Sequence, residues 1–177
     1  MSKSMLTKNM NDFIGMTMNS AVNQAQVTTD QLNEILSQAK KLAEDHYLEF
    51  TGTVTPHNAW LLFQTGQAVI VDVRTLEERK FVGLIENSIH IPWATGISLN
   101  RNPRFAKELE NKVGKDKIIL LLCRSGKRSA AAANVAFNAG FESVYNIDQG
   151  FEGDLDEHNQ RGIFNGWRFH QLPWIQE

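Results

Sequence analysis

Cys123 is the only cysteine among 177 residues, and Arg124, Ser125, Gly126, Lys127, Arg128 and Ser129 follow it directly. In cysteine chemistry the thiolate is the nucleophile, and a helix N-terminus with neighbouring Arg or Lys favours it. Three cations and a glycine in one short loop supply such a setting and draw an anion to it. Gly126 permits a turn that a residue with a Cβ resists. The loop can therefore curl round the sulfur with its amides inward, as an anion-binding nest does, while a helix opening near Arg128 turns its positive end to the same spot. A buried, inert cysteine at the end of a core strand is the competing reading, and the three adjacent cations weigh against it. Cys123 is thus the candidate nucleophile, with Arg124, Ser125, Gly126, Lys127 and Arg128 as candidate substrate-binding residues. Arg128 has a second option, an inward ion pair to Asp72 or Glu77 that braces the loop, and Ser129 reads as a helix cap.

Positioning falls to the elements on either side. The run Ile118–Leu122 is too short for a helix and apolar on both faces, as a strand inside a parallel sheet must be. Ligands of such sheets bind beyond the carboxyl ends of the strands, where Cys123 falls. An alanine-rich helix over 128–139 follows and closes at Gly140. From Phe50 onward strand and helix alternate, with further strands predicted at 51–54, 68–73, 88–91 and 143–147. Helices are predicted from Pro56, through Glu77 and Phe81, and from Pro103 to Gly114, each opening or ending on a Pro or Gly signal where one is present. This alternation predicts an α/β fold with a mainly parallel central sheet and helices on both faces. The loop 93–98 is long, contains Gly96 and is expected to overhang the site.

Upstream, Thr29-Asp30 opens an amphipathic helix whose apolar stripe runs through Leu32, Ile35, Leu36, Ala39, Leu42 and Ala43. Both packing on its own domain and a homo-oligomer formed through this helix satisfy that stripe. Residues 1–27 are polar, hold all five methionines and read as an arm, with a Met-rich partner surface as the alternative. The expected division is an N-terminal arm and helix over 1–48 and one domain over 49–177.

Net charge is −2, which gives no general attraction to nucleic acid. A lone cysteine excludes an internal disulfide and a CxxC pair, leaves no resolving thiol and fits a reducing compartment. Five scattered histidines lack ligand spacing, so neither a metal nor any other cofactor is expected. No apolar run reaches the roughly 18 residues of a membrane span. The N-terminus lacks the apolar core of a secretory signal, and no arginine precedes Arg74, so the expected location is cytoplasmic.

Cys123-Arg124-Ser125-Gly126-Lys127-Arg128-Ser129 resembles the active-site loop of the rhodanese (thiosulfate sulfurtransferase) family. Val69-Ile70-Val71-Asp72-Val73-Arg74, Ile89-His90-Ile91-Pro92, the segment from Gly140 to Phe151, Gly166-Trp167 and Leu172-Pro173-Trp174 match that family in the same order. The resemblance covers roughly residues 53–174 and stops short of the N-terminal arm and helix. Leu84 stands where the family often has a histidine, so no imidazole is carried over to that turn. The resemblance implies a double displacement: the Cys123 thiolate takes the outer sulfur of thiosulfate, sulfite leaves, and a persulfide passes its sulfur to cyanide or a thiol. Partners would then be a small inorganic donor and a thiol acceptor, with Arg124 and Lys127 holding the sulfonate end. A cysteine-dependent phosphatase or arsenate reductase is the alternative on the same fold. Those enzymes set five residues between Cys and Arg, whereas four separate Cys123 from Arg128 here. A non-enzymatic module is a third reading, although such domains typically lack the cysteine.

Overall fold

A computed structural model describes residues 27–176, and the Met-rich arm expected over 1–27 lies almost wholly outside them. Helix α1 (Thr29–Asp45) opens on a capping box in which the Thr28 hydroxyl accepts from the Gln31 amide and the Gln31 side chain accepts from the Thr28 amide. Strand β1 (Gly52–Val54) and helix α2 (Pro56–Gln64) follow, the latter capped by Thr55 with Pro56 in its first turn. Next come β2 (Ala68–Asp72), α3 (Leu76–Val82), β3 (Ile89–His90), β4 (Ala94–Thr95), β5 (Asn100–Arg101) and α4 (Phe105–Val113). The described chain closes its regular structure with β6 (Ile118–Leu122), α5 (Lys127–Asn138) and β7 (Val144–Ile147).

Five strands pair in parallel in the order β1-β7-β6-β2-β3, with β6 at the centre. Burial on both faces explains why β6 is apolar throughout. Ile119 and Leu121 point into one core with Phe105 and Leu109 of α4 and Ala132, Ala133 and Ala136 of α5. Leu120 and Leu122 point into the other, with Leu32 and Ala39 of α1, Leu62 of α2 and Trp167. The α/β fold with helices on both faces expected from the alternation is therefore observed. The apolar stripe of α1 lies on the chain's own sheet, so close that a Cβ on Gly52 would sit 2.6 Å from the Ala39 carbonyl oxygen.

One element differs in kind from the expectation. The overhanging loop is built round a two-stranded antiparallel hairpin, β4 with β5, in which Ala94 pairs with Arg101 and Thr95 with Asn100. Two-residue strands leave too little periodicity to read. Leu84, at the turn that departs from the resemblance, exchanges two 2.8 Å backbone hydrogen bonds with Ile175, so a main-chain clasp holds that turn.

Candidate active site

Register places the nucleophile. The β2–β6 ladder runs from Ala68 opposite Ile118 to Asp72 opposite Leu122, so Cys123 is the first residue beyond the ladder at the carboxyl edge. The chain then bends through Ser125 and Gly126, the latter at φ +85°, and α5 starts at Lys127. A left-handed conformation at this position favours glycine.

The turn after β7 fixes the loop from behind. The Phe151 amide donates to the Cys123 carbonyl at 2.8 Å, and the amides of Glu152 and Gly153 donate to the Arg124 carbonyl at 2.9 and 3.2 Å. With these carbonyls bound outward, the amides of Arg124, Ser125, Gly126, Lys127 and Arg128 meet no protein acceptor among the described residues. They are left as donors for an anion at the start of α5, the arrangement expected from the loop composition. Gly150 makes the contact possible, because a Cβ there would lie 2.5 Å from the Cys123 carbonyl oxygen and 2.6 Å from the Ser125 nitrogen.

Cys123 is only 1% exposed. The residue nevertheless lines a cavity of about 450 Å³ together with Leu99, Arg124, Ser125, Lys127, Arg128, Asp154, Leu155 and Arg161. Cys123 is thus recessed at the wall of this cavity. Leu99, the residue just past the loop 93–98, lines this cavity from the hairpin. Arg124 and Lys127 are exposed and have no carboxylate partner among the described residues, so their charge faces the cavity. Arg161 donates to the Gly153 carbonyl. The one acid lining the cavity, Asp154, accepts from the Asn165 amide nitrogen at 3.0 Å.

Arg128 takes its second option, with a different carboxylate. Its guanidinium donates to Glu78 in a fork, Nη1 to Oε2 at 2.8 Å and Nη2 to Oε1 at 2.6 Å. Neither Asp72 nor Glu77 is the partner. Glu78 belongs to the capping box of α3, where it also accepts from the Thr75 amide at 3.0 Å, and this fixes its carboxylate beside α5. Burial alone would raise the Glu78 carboxyl, but the Arg128 hydrogen bonds, the Thr75 amide and the charges of Arg128 and Arg74 hold it below its ordinary value. Burial works to lower Arg128, and Glu78 overrides it, with smaller contributions from Cys123 and Asp72, so its pKa lies above the ordinary value.

Asp72 is engaged elsewhere. Fully buried, it accepts from the Arg74 backbone amide, from Arg74 Nε and Nη2, and from Arg79 Nη1 at 2.9 Å. Burial would push its carboxyl up, and the two arginines outweigh that and hold it down. Arg74 also donates to the Gly83 carbonyl and lies 4.0 Å from the Phe151 ring centroid, so it braces the site from below and does not reach the cavity.

Ser129 and Asn146 are functional candidates beyond the loop. Ser129 does not cap α5, whose N-cap is Gly126. Its buried hydroxyl lies 3.2 Å from Cys123 Sγ, 3.1 Å from the Gly126 carbonyl and 2.6 Å from Asn146 Oδ1. One hydroxyl hydrogen serves three acceptors, and an anionic sulfur is the acceptor that strengthens such a bond most. Asn146 comes from β7, on the same face as Val144 and hence toward α5. Among the described residues no three His, Cys, Asp or Glu side chains are grouped to hold a metal, and no helix is long and apolar enough to cross a membrane.

Comparison with known proteins agrees with this fold. The rhodanese-like domain family matches residues 55–157. The crystal structure of a protein from M. tuberculosis superposes with a TM-score of 0.65 at 39% identity, over 72% of this chain and 99% of that one. An uncharacterised protein of Rickettsia prowazekii is 37% identical over 118 residues, 64% of this chain and 88% of its own length. A thiosulfate sulfurtransferase of Tolumonas auensis is 33% identical over 67 residues, 38% of this chain and 59% of that protein.

Proposed function

This chain belongs to the family of rhodanese-like domains, and we propose that it works as a sulfurtransferase that carries a sulfane sulfur on Cys123. The observation that carries the reading is a single one: a recessed sulfur within a loop whose five consecutive amides have no protein acceptor among the described residues.

Thiosulfate is the proposed donor, with its sulfonate end between Arg124 and Lys127. The Cys123 thiolate attacks the outer sulfur, the donor's S–S bond breaks, and its electron pair leaves with sulfite. The persulfide that remains bears its negative charge on the outer sulfur, where the loop amides stabilise it as an oxyanion hole stabilises oxygen. Cyanide then attacks that outer sulfur and departs as thiocyanate. With a thiol acceptor, the thiol's proton moves to the transferred sulfur. In both cases the Sγ–S electron pair returns to Sγ, so the thiolate is regenerated without net oxidation.

A phosphatase reading fits the loop less well. A clamp for a tetrahedral phosphate needs a free guanidinium, and Arg128 is already forked onto Glu78. The sixth position after the cysteine holds Ser129, whose hydroxyl lies 3.2 Å from the sulfur.

Intact-protein mass spectrometry after incubation with thiosulfate tests the proposal. One added sulfur, removable by a thiol and absent from Cys123→Ser, is expected, with the variant folded and inactive in thiocyanate formation. Hydrolysis of an aryl phosphate without sulfur uptake would overturn it.

A further inference from the structure

The cavity over Cys123 does not end at the cations. Past Leu99, Arg124 and Arg128 it adjoins a groove of about 250 Å³ that includes Thr75, Glu77 and Ile97. Past Leu155, on the other side, it adjoins a hollow of about 400 Å³ lined by Asp156, Glu157 and Phe164. The first shares Leu99, Arg124 and Arg128 with the central cavity and the second shares Leu155, so the three concavities adjoin as one trough, and only the middle one is lined by Cys123. The central part alone lies within the range of about 300–1,000 Å³ typical of sites for drug-sized ligands. Thiosulfate or cyanide fills only a corner of it.

The chemistry along the trough is graded. Its centre is cationic, with Arg124 and Lys127 free of carboxylate partners among the described residues. Its flanks carry exposed apolar side chains among carboxylates: Ile97 is 100% exposed, Phe164 66%, and Leu99 and Leu155 47% each, with Glu77 and Glu78 lining the first flank and Asp156 and Glu157 the second. Single exposed apolar residues need no explanation, but several along the rims of one catalytic cavity mark a contact surface. A free low-molecular-weight thiol needs only the centre and gives the rims no role.

We propose that the sulfur acceptor is a cysteine on an extended segment of a partner protein, lying along this trough with an acidic residue beside that cysteine and apolar side chains on either side. This rests on the sulfurtransferase reading and specifies its acceptor. Charge complementarity assigns the acid to Arg124 and Lys127, and the apolar flanks assign the neighbours to Ile97 with Leu99 on one side and Leu155 with Phe164 on the other. In the transfer the partner's sulfur attacks the outer sulfur of the persulfide and forms the new S–S bond. The bond to Sγ breaks with its electron pair staying on Sγ, and the partner thiol's proton moves to the transferred sulfur. No outside oxidant or reductant is required. A second copy of this chain cannot be the acceptor, because its only thiol is itself recessed.

The test loads the full chain with thiosulfate, removes excess donor and offers three acceptors: cyanide, acetyl-Gly-Leu-Asp-Cys-Phe-Gly-amide and acetyl-Gly-Ser-Lys-Cys-Ser-Gly-amide. Transfer to the acidic, apolar peptide is expected about tenfold faster than to the basic, polar one. The double substitution Ile97→Asp with Phe164→Asp should remove most of that advantage and leave the cyanide rate unchanged. Because both positions are exposed, the fold should tolerate them, and comparing one peptide on two proteins cancels the thiol's own reactivity. Equal peptide rates, or a double variant that slows cyanide and peptide alike, would overturn the inference while leaving the sulfurtransferase reading intact. So would a dimer in sedimentation that covers Ile97 and Phe164. Failure to form any persulfide removes the sulfurtransferase reading, and the inference with it.

Discussion

Arg124 and Lys127 line the same cavity as Cys123, yet their expected contributions differ from that of Ser129 on the far side of the sulfur. An exposed ammonium beside the entry attracts the donor equally in ground and transition states, which is uniform binding. Lys127→Ala should therefore raise KM for thiosulfate by about tenfold, with kcat within a factor of about two. An unchanged KM in steady-state thiocyanate assays would place the sulfonate elsewhere. The Ser129 hydroxyl acts on the sulfur itself, where charge shifts during reaction. Removing one buried donor from a reacting anion costs on the order of 10–100-fold in kcat when the donor is neutral and the bond to sulfur is long. Ser129→Ala should show that loss with KM nearly unchanged, and its far-ultraviolet spectrum should match the parent because the change adds no bulk, at the cost of the donor to Asn146 Oδ1.

Among the elements, α3 and α5 meet at one ion pair whose partners lie 50 residues apart in sequence. A carboxyl whose folded value lies below its ordinary 4.5 adds stability that is complete above that pH and is lost as pH falls through the folded value. Asp72, held below its ordinary 3.8 by Arg74 and Arg79, acts in the same sense, its contribution complete above that pH. Urea unfolding midpoints should thus drift down modestly from pH 7 to about 5, because burial and His57 hold the His170 pKa below 6.5, and fall increasingly below about 4.5. Glu78→Gln should lower stability at pH 7 by roughly 1–3 kcal/mol and flatten the upper part of that fall. An unaltered pH profile would show that the pair contributes nothing. This pair also shows how far the sequence could be read. The strands of the parallel sheet and the Cys123 loop were legible because an apolar run and a glycine-cation turn are local signals. The partner of Arg128 was not, although Thr75-x-x-Glu78 is a capping-box spacing that fixes which carboxylate turns back toward its own helix start. Ser129 and Asn146 meet only because β7 lies beside β6, and nothing along the chain links them.

Across the whole molecule, α1 lies outside the matched family region yet contributes to the same interior. Leu32, Ala39 and Ala43 are buried, and Leu32 and Ala39 join Val54, Leu62 and Tyr145 in the core behind β1. Burying one leucine and two alanines is worth roughly 3–4 kcal/mol at about 25 cal/mol per Å², before the entropy of ordering the helix is subtracted. That is a sizeable share of the roughly 5–15 kcal/mol by which a domain is stable. A chain starting near Phe50 should therefore unfold at lower temperature by calorimetry, with Gly52 on the edge strand β1 and Tyr145 beside it on β7 newly exposed. Cys123 lies with α4 and α5 in the opposite core, so sulfur uptake measured well below the new melting point should persist. Leu32→Ala isolates the packing from the loss of backbone, and a destabilisation of about 2–4 kcal/mol is expected. If the truncated chain melts with the parent, α1 is a passenger on the fold; if it stays folded but takes up no sulfur, the helix reaches the catalytic loop through β1 and β7, the strand whose following turn binds the Cys123 carbonyl.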